Sequence, residues 1–168
     1  MRTDDRSRNE YFAPMKATAL WSVLLLAGLP IVDLQASCSP QCIAHARRES
    51  GIYTNKVGRT RGAIDWFEQA FFLGDTRTHP GVGFVGLPLV LGAQPGINPK
   101  YGHVVYVERS REIVKGRSYR LSVSHANFDA SCSVERIDAY YFPATKEIEF
   151  VAGYFGGQTF TVKGFITH

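Results

Sequence analysis

A chain of 168 residues with 45% apolar and 20% charged residues fits one globular domain with a tail, and its composition excludes general disorder. The formal charge is +4 and the pI about 9.1. The cations fall in scattered pairs (Arg47-Arg48, Arg59 and Arg61, Arg109 and Arg111) with no aromatic–basic alternation, so no nucleic-acid partner is expected. The excess reads as mild attraction to an anionic surface such as a cell envelope, or as a solvated face without a role.

Residues 1–14 are polar and charged without periodicity. Met15-Lys16 then opens an uncharged run, Ala17 to Val32, centred on Leu24-Leu25-Leu26 and followed by Leu34-Gln35-Ala36. A positive flank, an apolar run and small residues have the layout of a secretory signal peptide. Pro30 and the 16-residue length argue against a permanent transmembrane helix, which needs about 20 residues. Residues 1–37 are therefore read as an extension plus signal peptide that crosses the membrane only transiently, with Met1 or Met15 as start. A buried apolar helix is the alternative. Residues 38–168 are the functional domain, periplasmic or secreted.

That domain carries Cys38, Cys42 and Cys132, an odd count that suggests one disulfide and one free, reactive thiol. If Cys42 is the nucleophile, Cys38 and Cys132 are left to pair. Lipidation of Cys38 is a minority reading, because Gln35 stands where a lipoprotein signal usually has a small or aliphatic residue.

The stretch from Ser39 to Gly51 predicts a short helix with Ser39 as N-cap, Pro40 at the first helical position and Gly51 as stop. Cys42 then sits in the first turn, where unpaired N–H groups and the helix dipole favour a thiolate. It is a candidate nucleophile, with a buried structural cysteine as the bland alternative. A second helix is expected over residues 62–72, with positions 63, 66, 67, 70 and 71 on one face and Trp66 and Phe67 in the core.

From Pro80 the signals turn to strands. Gly83 to Leu91, Tyr101 to Glu108, Tyr119 to Asn127, Val134 to Phe142, Glu147 to Tyr154 and Thr159 to Ile166 read as strands, with Arg109 to Arg117 a charged connection. Helices first and an antiparallel meander after them predict an α+β domain.

A cysteine nucleophile needs a base, and the imidazole needs a third group to orient it. The candidate base is His103, which follows Gly102 at a strand start. His125 and Asn127 are two residues apart and share a face of the next strand. Gly102 would let a substrate or the tip of the Cys42 helix approach the backbone. His45, His79 and His168 are assigned no role. A metal site from Cys42, His103 and His125 lacks any close C-x-x-C or H-x-x-x-H spacing, so no metal or other cofactor is expected.

The segments Gln41 to Arg47 with Ser50-Gly51-Ile52, Gly62-Ala63 with Trp66, Gly102 to Val107 and Ser124 to Phe128 stand in an order and spacing that resemble the CHAP family of cysteine- and histidine-dependent amidohydrolases/peptidases. The resemblance spans roughly residues 38–166. It implies a papain-like α+β fold, with N-terminal helices packed on an antiparallel sheet, that cleaves amide bonds in peptidoglycan. Cys42 then matches the nucleophile and His103 the general base. Asn127 matches a polar residue after the motif's acidic position, where this chain has His125 instead of the usual glutamate. Either Asn127 or His125 orients the base, and Asn127 is preferred. A thiolate–imidazolium pair would attack the amide carbonyl, with helix-tip N–H groups and the Gln41 side chain stabilising the oxyanion. The expected partner is peptidoglycan or a peptide. The competing reading is an inactive CHAP-like module that binds wall peptides or an envelope partner; an amidase of small peptide conjugates is another.

Overall fold

The structure is a computed structural model in which residues 41–53, 61–78, 83–92, 97, 100–126 and 133–168 are described. The segment read as a signal peptide, the Ser39 cap, the Cys38–Cys132 pairing and Asn127 lie outside these residues.

Two short helices, α1 (Cys42–Ser50) and α2 (Ala63–Phe72), precede the strands β1 (Thr76–Arg77), β2 (Pro88–Leu91), β3 (His103–Val114), β4 (Ser118–Ala126), β5 (Val134–Phe142), β6 (Glu147–Phe150) and β7 (Thr159–Ile166). All the strand pairings are antiparallel, in the order β1-β7-β2-β3-β4-β5-β6. The strand β7 pairs with both β2 and β6, so six strands close into a barrel.

This overturns the expected papain-like α+β arrangement. The protein is mostly β, and its helices lie against the outside of a closed barrel instead of forming a helical layer on an open sheet. Alternation marks each strand but not its partners. Closure depends on pairing the last strand with the first long one, a contact between residues 89–91 and 162–165 that no local pattern encodes. The register shifts between Val90 and Leu91, a bulge of the kind that bends strands at barrel closures.

Alternation then assigns the two sides of the wall. Leu89 and Leu91, Val105 and Val107, and Leu121 and Val123 point inward with Tyr141, Phe150, Phe160 and Phe165, filling a barrel this narrow with side chains. Val90, Val104 and Ile166 point outward and pack under the helices with Ala46, Ala63, Trp66 and Ala70. The guanidinium of Arg47 on α1 lies 4.9 Å from the Trp66 ring on α2, tying the helices together.

Helix α2 buries Ala63, Trp66 and Ala70 as its period predicts, but Phe71 is 63% exposed because the apolar stripe is wider than the barrel wall beneath it. Most of the connection expected over residues 109–117 is instead a continuation of β3 to Val114, and only residues 115–117 form the turn. Arg111 and Glu112 pair with Arg120 and Tyr119 of β4 in an exposed hairpin, where polar side chains on both faces cost nothing and erase the alternation.

Candidate functional site

Gln41, not a serine, is the residue flanking α1, and it makes no side-chain cap. Its carbonyl accepts the first helical hydrogen bond, from His45 N–H at 2.8 Å. Cys42 is thus the first helical residue, and Gly51 ends the helix with φ 72°, left-handed as expected.

The half-buried Cys42 carries a free thiol. Burial pushes that thiol up from 9.0 to about 11, while the backbone N–H groups of Val104, Ile43 and Cys42 itself pull in the opposite direction. The sulfur therefore lies against the β3 backbone one residue from His103. Cys42 and His103 line the same cleft of about 220 Å³, together with Gln41, Arg61, Tyr101 and Gly102.

Gly102 holds this corner together. Its φ is +64°, and an added Cβ would sit 2.7 Å from Ile64 Cγ1 and 2.9 Å from the Leu91 carbonyl oxygen. The closest approach that this glycine permits is by the start of α2, where Ile64 N–H also donates to the Tyr101 carbonyl at 3.0 Å.

His103 begins β3 on the inward face and is 5% exposed. His125 sits near the end of β4, also inward and fully buried. The two strands place them diagonally, and His103 Nε2 lies 3.2 Å from His125 Nδ1 with the rings at 89°. Phe155 closes the mouth of the barrel over both, stacked on His125 at 5.3 Å and edge-on to His103 at 5.5 Å. Burial under this apolar cover, followed by the repulsion that His125 would exert if both rings were protonated, holds the His103 imidazole down at about 3.

Burial thus favours the uncharged form of Cys42 and of His103, each taken alone. The helix N-terminus does favour the thiolate, but removal of the sulfur from water outweighs it.

Beyond His125 stands Glu135, its direct cross-strand partner on β5, with Oε2 at 3.2 Å from His125 Nε2. The approach is ion-pair-like, off the line of a straight hydrogen bond. Sequence reasoning did not single out Glu135. Only the β4–β5 register brings it opposite His125, and the one available signal was its inclusion in an alternating run.

The structure thus brings Gln41, Cys42 and His103 to one cleft and His125 behind His103. Among the described residues, no group of three or more His, Cys, Asp or Glu side chains could hold a metal ion. Compared with family models, curated proteins and solved structures, the chain matches none.

Proposed function

We propose that the protein is an exported cysteine hydrolase of the CHAP type that cleaves amide bonds in peptidoglycan, as an amidase or an endopeptidase. The observation that carries this reading is the placement of Cys42, at the first position of a helix, in one cleft with a histidine whose far nitrogen is engaged by a second histidine. The resemblance of the Gln41–Arg47, Gly102–Val107 and Ser124–Phe128 segments supports the substrate class.

In the proposed reaction the Cys42 thiol gives its proton to His103 as the sulfur attacks the amide carbonyl. Making the two charges together differs from making either alone. Thiolate and imidazolium attract each other in a poorly solvated cleft, which offsets the burial that keeps each separately neutral. Gln41 and the first residues of α1 line the cleft, and their N–H groups with the Gln41 side chain are the proposed stabilisers of the oxyanion. His103 then protonates the leaving amine and activates the water that hydrolyses the thioester.

The raised Cys42 and lowered His103 ionisations favour one second reading, a binding module for wall peptides with an inert thiol. Mass analysis of muropeptides after incubation with purified peptidoglycan separates the two. Hydrolysis predicts new amine and carboxyl termini, absent with Cys42→Ala; equal product from that variant, or none from the native chain, ends the hydrolase reading.

A further inference from the structure

We propose that Glu135 is a positioning residue that fixes the tautomers of both buried histidines, so that the lone pair of His103 Nδ1 is the one left to receive the Cys42 proton. The proposal rests on the hydrolase reading for its chemical consequence and on geometry alone for the tautomers.

Glu135 is held in place by more than its strand. The Tyr154 N–H donates to its carboxylate at 3.2 Å (Oε1) and 3.1 Å (Oε2), within the turn that follows β6. Gly153 in that turn has φ +76°, and a Cβ there would overlap the carboxylate. The turn is therefore shaped around the acid, and the same turn supplies Phe155, which stacks on His125. With 23% of its side chain exposed, Glu135 keeps some contact with water beside a fully buried ring.

The proton positions follow in sequence. A carboxylate only accepts, so the His125 nitrogen 3.2 Å away carries hydrogen; the other tautomer would set two lone pairs against each other. With hydrogen on Nε2, neutral His125 offers the lone pair of Nδ1. His103 Nε2, 3.2 Å from that lone pair, must then donate to it. That leaves Nδ1 of His103 without hydrogen. On the hydrolase reading it takes the proton of Cys42, which lines the same cleft: the S–H bond breaks, an N–H bond forms on Nδ1, and the sulfur's electron pair goes to the carbonyl carbon. The imidazolium so formed is stabilised through His125 by the Glu135 charge. Glu135 touches no reacting atom.

The test is 15N NMR of the histidine-labelled full chain near pH 7, with kinetics on muropeptides beside it. Both His103 and His125 should be Nε2–H tautomers. Glu135→Gln, which lacks the charge, should lower the His125 Nε2–H population and reduce kcat at least tenfold with KM little changed, and Glu135→Asp should recover part of both. A native His125 carrying hydrogen on Nδ1 would overturn the proposal without any variant, so a misfolded Glu135→Gln does not shield it. Unchanged tautomers in a folded Glu135→Gln would overturn it equally. Absence of muropeptide cleavage by the native chain would instead remove the hydrolase reading and leave the tautomer order to be judged by NMR.

Discussion

Two groups of buried histidines stand on opposite sides of the β3–β4 wall, and the contrast between them is instructive. Outside the wall, His45 is 1% exposed beneath α1. Arg48 Nη2, which can only donate, lies 3.2 Å from its Nδ1, so His45 Nε2–H donates to Ser124 Oγ at 2.9 Å. Both nitrogens are therefore engaged by neighbours, and neither lines the Cys42 cleft. Inside the wall, His103 has one nitrogen engaged and reaches the cleft. Burial lowers both imidazoles, so a depressed ionisation does not separate the two surroundings. What separates them is the cleft, which His103 lines together with Cys42 and His45 does not.

The sharpest way to break this comparison is substitution of each histidine. His103→Ala should lower kcat on muropeptides by about 10²–10⁴-fold per folded molecule. His45→Ala should leave kcat per folded molecule near native, and orphaning Ser124 and Arg48 should cost about 1–3 kcal/mol of stability in denaturant titrations. Equal activity losses in the two variants would show that the wall does not separate two roles.

Next in size is Gly102→Ala, which forces a side chain into a left-handed position against Ile64 and the Leu91 carbonyl. A loss of about 2–4 kcal/mol is expected, measured by urea unfolding. A near-neutral result would mean that α2 is not clamped to the segment before His103.

The pH dependence of stability tests both histidine groups together. Below 6.5 the unfolded chain takes up protons that folded His103 and His45 refuse, so stability should fall as pH drops toward 3. Above 9.0 the unfolded chain loses a thiol proton that folded Cys42 keeps, so stability should fall again as pH rises toward 11. The maximum lies between about 6.5 and 9. His45→Gln and His103→Gln should each flatten the acid limb, and a limb unchanged by His103→Gln would refute the burial argument for that ring.

The smallest effect is on the thiol itself. Iodoacetamide should label native Cys42 more slowly than a free cysteine at pH 7, with a rate that climbs toward pH 11. Rapid labelling at pH 7 that is lost in His103→Ala would mean the pair rests ionised after all.

Local patterns in the chain were enough to place several pieces. The helix ending at Gly51, the amphipathic run of α2 and the alternation of β4, β5 and β7 follow from propensity and period, which act within a few residues. Cys42 at a helix start and His103 at a strand start were legible for the same reason. The hairpin arm of β3 was not, because an exposed ribbon needs no apolar alternation.

Three matters belonged to the tertiary structure alone. Closure of the barrel depends on β7 meeting β2 and β6, pairings whose cost and gain lie in chain entropy and long-range register. The partner of His125 depends on the β4–β5 register, which sets Glu135 opposite it. The charge state of Cys42 and His103 depends on how much water the folded cleft and Phe155 exclude, and desolvation is a property of the assembled wall, not of any segment of the sequence.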